Sequence, residues 1–188
     1  MRQTTLLVVP TSGNRAAVAN DGKVAVHPGA ACQQRLETAA KRLSEDGQAK
    51  LAIVGGWRAQ AELSEAAVAK RWFLARFPEH SDRMAFIQSE GCFTAEDMIR
   101  LARKLHSPEW AGAFVLLVSH PDHALLAAQT LRSCGIDKVD FLDSGERPPY
   151  GAIKLAVLKL IYSLDPLWIS APARVVARLV SERRGGGF

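Results

Sequence analysis

Five short apolar runs alternate with helical patterns along this chain, and that alternation restricts the fold more than any other feature. The runs are TTLLVVP (4–10), KLAIVGG (50–56), RMAFIQ (83–88), GAFVLLVS (112–119) and the weaker KVDFLD (138–143). Each is continuously apolar, the pattern of a parallel strand covered on both faces. Between them, CQQRLETAAKRLSEDG spaces Leu36, Ala39, Ala40 and Leu43 at helical intervals, with Gly47 as the expected C-cap. LSEAAVAKRWFLARF starts after Ser64, a good N-cap, and TAEDMIRLARKLH has Thr94 as its expected cap. HPDHALLAAQTLRSCG puts Pro121 in a first turn, where its missing N–H costs nothing, and ends at Gly135. The order βαβαβαβαβ predicts an α/β protein: a three-layer Rossmann-like sandwich with a mostly parallel five-stranded sheet and extra C-terminal helices.

The length of 188 residues suits one domain over 1–188, with its core in 4–165 and a helical extension over 166–188. In that tail a helix is expected to about Leu164, a break at Asp165-Pro166, and a second amphipathic helix after Pro172. The stripe Ile153, Ala156, Val157, Leu160, Ile161, Leu164 is expected to pack on its own domain, which disfavours membrane-surface contact through these helices. Residues 11–31 read as the longest unstructured segment, and loops of that length tend to be functional.

No apolar run reaches the roughly 18 residues of a membrane-spanning helix. MRQTTLLVVP lacks the long apolar run and small-residue cleavage site of a signal peptide, so a cytoplasmic location is expected. Three cysteines without a CxxC spacing argue against both a disulfide framework and a zinc knuckle. The net charge is +5, but Lys and Arg are interleaved with Glu and Asp, which disfavours nucleic-acid binding.

Ligands of open parallel sheets bind beyond the carboxyl ends of the strands. The segments leaving those ends are Thr11-Ser12-Gly13-Asn14, Gly55-Gly56-Trp57-Arg58, Ser89-Glu90-Gly91, Ser119 to His123, and Asp143-Ser144-Gly145-Glu146. Ser12, Gly13 and Ser119 are therefore candidate ligand contacts. Gly55 and Gly56 would let backbone N–H groups approach an anion, although a two-glycine match is weak and no GxGxxG or phosphate-loop motif accompanies it. Arg35, early in the first helix, could neutralise a phosphate or carboxylate. Glu65 and Glu90 could act as general bases or hold a ligand hydroxyl; Glu65 also suits a helix first turn on local grounds, whereas Glu90 has no such explanation. His120 and His123 could face one metal, but the spacing fixes no third ligand, so a metal is disfavoured. The better reading is a helix cap with one functional histidine.

Taken in order, these residues resemble the YdcF/SanA/ElyC family of bacterial proteins over roughly 4–165. The matching features are Arg35-Leu36 with Ala39, Ala40 and Leu43; Ile53-Val54-Gly55-Gly56 followed by Ser64-Glu65-Ala66; Glu90 ahead of Phe93-Thr94-Ala95-Glu96-Asp97; and Ser119-His120-Pro121-Asp122-His123. The chain departs from the family pattern at Phe93 and Asp97, where it has Asn, at His120-Pro121, where Ser-Asp is usual, and at Leu126, where an Arg usually follows the histidine. The resemblance aligns His123 with the family histidine and adds Thr94 and Glu96 to the ligand-binding set. It implies a Rossmann-like fold, a small polar, anionic or nucleotide-like ligand of the S-adenosylmethionine type, and a link to cell-envelope homeostasis. Glu90, His123 and Glu65 are then the expected catalytic groups of an enzyme of unassigned reaction; the alternative is a non-catalytic ligand-binding or regulatory protein.

Overall fold

The structure, a computed structural model, describes residues 4–18, 24–56, 63–91, 93–148 and 150–170. In chain order the elements are β1 (Thr5–Pro10), β2 (Asn14–Val18), β3 (Val24–Pro28), α1 (Ala30–Glu45), β4 (Lys50–Val54), α2 (Glu65–Arg76), a 3-10 helix (Pro78–Arg83), β5 (Met84–Gln88), α3 (Thr94–Leu105), β6 (Phe114–Ser119), α4 (Pro121–Ser133), β7 (Val139–Asp143) and α5 (Ala152–Leu164). The five apolar runs are the five strands of one all-parallel sheet, ordered β5-β4-β1-β6-β7. The protein is an α/β Rossmann-like three-layer sandwich.

The central strands are buried on both faces because successive residues face opposite layers, whereas the edge strands β5 and β7 are half-buried and mostly exposed, respectively. In β1, Leu6 and Val8 join a cluster with Met98, Leu101, Ala124 and Leu131 of α3 and α4. Leu7 and Val9 point the other way, into a cluster with Leu36, Leu43, Ala66 and Phe73 of α1 and α2. Full burial of one such aliphatic side chain contributes about 1.5–3 kcal/mol, so both layers hold the central strand.

Local signals set several boundaries. Ser64 caps α2, its Oγ accepting from Ala67 N at 3.2 Å. At the end of α4, Gly135 adopts φ +82°, Gly135 N bonds Arg132 O and Ile136 N bonds Leu131 O, the paired contacts of a Schellman turn. Gly47 plays no such part: α1 ends on Asp46 as C-cap, and Gly47 has no positive φ.

Three expectations are corrected. Residues 11–31 are not one unstructured loop, because β2 and β3 pair there as an antiparallel hairpin, with Ala16 opposite Val26. Thr94 does not cap α3: Phe93 holds the cap position, and Thr94 is the first helical residue with its hydroxyl turned to His123. The stripe on α5 does not pack wholly on its own domain, since Ile153, Val157, Leu160 and Leu164 are exposed. The second tail helix, expected after Pro172, lies outside the described residues. Among the described residues no helix is long and apolar enough to cross a membrane.

Candidate functional site

The chain runs outward from β1 to β4 and β5, then returns to the other side of β1 for β6 and β7. The strand order therefore reverses between β1 and β6, which opens a crevice at their carboxyl ends. The residues beyond Pro10 and Ser119 form its floor.

A buried ion pair frames this crevice. Arg35 lies on the apolar face of α1 between Cys32 and Leu36 and is only 1% exposed. Its Nε donates to Glu146 Oε2 at 2.6 Å, its Nη2 donates to Glu146 Oε1, and its Nη1 donates to the Pro10 carbonyl at 2.6 Å. Glu146 Oε1 also accepts from His120 N at 3.3 Å. One guanidinium–carboxylate pair thus ties the end of β1, helix α1, the start of α4 and the segment after β7. Arg35 is consequently engaged inside the protein, in a different role from the ligand anchor anticipated for it.

Glu65 performs a similar service on the other side. As the first residue of α2 it is 3% exposed, and its carboxylate accepts from Thr11 Oγ1 at 3.0 Å and Gly13 N at 2.7 Å. That fixes the turn leaving β1, where Gly13 takes φ +64° and its carbonyl accepts from Gly29 N at 2.8 Å. Ser12 sits within this turn, half-buried. Its backbone N–H faces the Cys32 thiol, while its Oγ makes no hydrogen bond in the protein.

His123 occupies the opposite wall. The start of α4 uses its own imidazole as a cap: His120 Nδ1 accepts from Asp122 N at 3.2 Å, and Pro121 fills the first helical position. One turn in, His123 is 6% exposed, with Nδ1 2.9 Å from Ser119 Oγ and Nε2 3.1 Å from Thr94 Oγ1. Tyr150 lies beside the ring, its centroid 6.3 Å away. A neutral imidazole donates through one nitrogen and accepts through the other, so the ring polarises one of the two hydroxyls it touches. Ser119 is fully buried and can only orient His123; Thr94 is the half-buried partner, open to a ligand.

Glu90 stands apart from this crevice, and the glycine pair has a packing role beside it. Glu90 has a side chain 75% exposed at the end of the edge strand, and Arg100 binds it at 2.7 Å and Glu96 at 2.8 Å. Of the two carboxylates expected at the crevice, the buried one is Glu65 and not Glu90. Gly55 and Gly56 serve close packing. Gly55 N donates to Gln88 O and Gly55 O accepts from Ala66 N, and a Cβ on Gly56 would overlap the backbone of Glu90 and Gly91.

Thr11, Ser144 and Glu146 belong to segments expected to leave the strand ends but were not singled out there as site residues, and Tyr150 was not anticipated. Glu146 had a detectable signal: an arginine in the stripe Cys32, Leu36, Ala39, Leu43 must be buried, and a buried charge requires a partner. Ser144 is 5% exposed with no hydrogen bond to its Oγ, and its N–H meets Ser119 O at 3.3 Å. Among the described residues no group of three or more His, Cys, Asp or Glu side chains could hold a metal ion.

A cavity of about 300 Å³ lies at the opposite edge of the sheet, lined by residues including Leu105, His106, Trp110, Val115 and Ile136. Its His106 Nε2 is engaged at 2.9 Å by the Cys134 carbonyl and its Trp110 Nε1 is buried from solvent. Converging polar groups are found at the carboxyl edge instead.

Burial pushes the Cys32 thiol up to about 12, with the Arg35 charge and the Ser12 N–H opposing. In the unfolded chain that thiol ionises at its ordinary 9.0. The native state therefore keeps a proton that the unfolded state loses. Stability is untouched below pH 9 and falls between 9 and 12, by up to about 1.4 kcal/mol per pH unit. Buried Tyr162, also raised by desolvation, adds to the fall above 10. Urea unfolding from pH 8 to 11 is expected to show this decline, and Cys32→Ala to reduce its slope; an equal slope in the variant would place the decline elsewhere.

Fold and crevice together define a Rossmann-like α/β domain with a polar site at its switch point. No family model, curated protein or solved structure matches the chain.

Proposed function

We propose that the protein binds a small polar, anionic or nucleotide-like molecule in the switch-point crevice and that His123 acts there in proton transfer to or from it. The observation that carries this reading is the buried imidazole held between Ser119 and Thr94 at the mouth of a structurally braced crevice. The Thr94 hydroxyl is half-buried beside the carboxyl ends of β1 and β6, which lets a ligand share its hydrogen bond with His123. Ser12 Oγ and Ser144 Oγ, which make no hydrogen bond in the protein, supply further polar groups at the ends of β1 and β7.

The resemblance to the YdcF/SanA/ElyC family supports the same reading. Its matched segments include Glu65, Thr94, Ser119 and His123, and it directs attention to adenosine-type ligands such as S-adenosylmethionine and to an envelope-linked role. The family's usual arginine is Leu126 here, buried with Tyr162 and Trp168. An anionic group would then rely on backbone N–H groups and hydroxyls more than on a side-chain cation.

A thermal-shift series with nucleotides, S-adenosylmethionine and sugar phosphates tests this. A ligand at a hundredfold excess over its Kd stabilises by about 2.7 kcal/mol, a rise of about 5–10 °C for a chain of this size. Thr94→Val, which preserves shape, and His123→Gln are expected to abolish that rise while leaving a cooperative apo transition. The assignment fails if no ligand shifts the transition, or if both variants respond as the parent does. Turnover of the stabilising ligand would mark an enzyme, and binding without turnover the non-catalytic alternative.

A further inference from the structure

Thr94 is the first residue of α3, yet its hydroxyl does not serve the helix. Phe93 holds the cap position, and no side chain caps the first turn. A hydroxyl at a helix start ordinarily turns back to a backbone N–H; here Oγ1 lies 3.1 Å from His123 Nε2 instead. Nor does that imidazole serve its own helix, because His120 Nδ1 caps α4. His123 stands one turn in, 6% exposed, and its other ring nitrogen, Nδ1, lies 2.9 Å from Ser119 Oγ. The start of α3, the first turn of α4 and the end of β6 thus each contribute one side chain to a single chain of contacts: Thr94 Oγ1, His123, Ser119 Oγ.

These contacts have the parts of an activated nucleophile. Nucleophilic catalysis needs a hydroxyl within hydrogen-bond reach of a base, and a third group that orients the base. The two hydroxyls here are not equivalent. Ser119 is fully buried and fixes the ring, whereas Thr94 is half-buried. With Nδ1–H donating to Ser119 Oγ, Nε2 keeps its lone pair for the Thr94 proton.

Electrostatics select the electrophile. A transferring phosphoryl group needs cations on its oxygens. Arg35 is bound to Glu146 and the Pro10 carbonyl, and Arg100 to Glu90 and Glu96, so both guanidinium groups are already engaged. An acyl carbonyl develops charge on one oxygen only, which neutral hydroxyl or N–H donors can hold. Tyr150, half-buried beside the imidazole, brings a phenol to the same wall.

We propose that Thr94 is the nucleophile of an acyl-transfer site, with His123 as its base and Ser119 positioning that base, and that its substrates are carboxylic esters of small polar molecules. This rests on the reading of the crevice as a ligand site and adds the bond made there. Thr94 Oγ1 bonds to the ester carbonyl carbon while its proton passes to His123 Nε2. The ester C–O bond then breaks, and the leaving alcohol takes that proton. Water, giving a proton to Nε2, attacks the acyl-threonine; the acid departs and the Thr94 oxygen regains the proton. The sum is hydrolysis of one ester by one water, with no change in oxidation state.

Hydrolysis of p-nitrophenyl acetate by the full chain tests it. An initial burst of nitrophenol is expected, with an acetyl group mapped to Thr94 by mass spectrometry. Thr94→Val, which preserves shape, is expected to abolish burst and label while melting like the parent, and Thr94→Ser to accept the acetyl group at the same position. His123→Gln is expected to slow acylation by about a hundredfold or more. Ser119→Ala is expected to lower kcat with KM unchanged, the split of a residue that orients the base without touching the ester. The proposal is overturned if the parent releases nitrophenol no faster than buffer, if the acetyl group is not found on Thr94, or if Thr94→Val reacts as the parent does. Should a crevice ligand still raise the parent's melting temperature in that case, the ligand site stands and the nucleophile alone is lost. Should none do so, both readings fall.

Discussion

Glu146→Ala is expected to destabilise the fold by about 3–5 kcal/mol, the usual cost of removing one partner from a buried ion pair. Arg35 and Glu146 side chains are each 1% exposed, so the guanidinium left behind has no route to water without opening the packing of α1 on β1. The Pro10 carbonyl would still accept one of its hydrogen bonds, but a carbonyl does not neutralise a charge. Urea unfolding should show the loss as a lower midpoint with an unchanged slope. The melting temperature should drop by about 6–20 °C. Arg35→Met/Glu146→Leu should recover much of the stability, because an apolar pair of similar volume removes the unpaired charge. A change below about 1 kcal/mol in Glu146→Ala would mean that Arg35 reaches solvent, contrary to its burial. The double variant separates stability from function. If the pair also fixes the crevice through His120 N and Pro10 O, the double variant should fold well and still bind ligand more weakly than the parent.

The same pair shows where sequence patterns stop being informative. The central strands β4, β1 and β6 were legible because strands buried on both faces leave continuous apolar runs, the edge strands β5 and β7 because they alternate with helical patterns, and the order along the chain fixed which edge gathers the polar turns. Which carboxylate matters at that edge was not legible. Glu90 lacks a local explanation in the sequence yet is mostly exposed and bound by Arg100, whereas Glu65 looks like a helix-start residue and is the buried one holding Thr11 and Gly13. The difference is tertiary: β5 is an edge strand, and β1 lies at the centre of the sheet. The hairpin of β2 and β3 left no continuous apolar run, because β2 opens on Asn14-Arg15 and β3 closes on His27-Pro28. Asp21-Gly22 between them was the available turn signal. The α5 stripe has the opposite lesson, since periodicity predicts an apolar face without saying what covers it.

Gly56→Ala is expected to cost about 3 kcal/mol or more, at the upper end of overpacking effects, because backbone surrounds the added methyl. A Cβ there would overlap the carbonyl carbon of Glu90 and the nitrogen of Gly91, and would stand 2.5 Å from the Gly91 oxygen. None of these atoms belongs to a side chain that could rotate aside. Gly91 cannot shift freely either: it holds φ +114°, and a Cβ on it would stand 3.1 Å from Asp97 Cγ while overlapping the carboxylate oxygen. The ends of β4 and β5 are therefore joined backbone to backbone, and the Asp97 side chain of α3 closes over Gly91. Gly55→Ala differs, because its Cβ would overlap the Thr11 hydroxyl, the far end of a side chain that can turn away. Turning away breaks the Thr11–Glu65 hydrogen bond, so Gly55→Ala should lose less stability and more ligand affinity. Chemical denaturation of both variants, with a ligand titration on each, tests the contrast. A Gly56→Ala protein of near-parent stability that no longer binds ligand would return the Gly55-Gly56 pair to the role of an anion-binding turn. Lower stability in Gly56→Ala, with the larger binding loss in Gly55→Ala, would establish that close packing requires the two glycines.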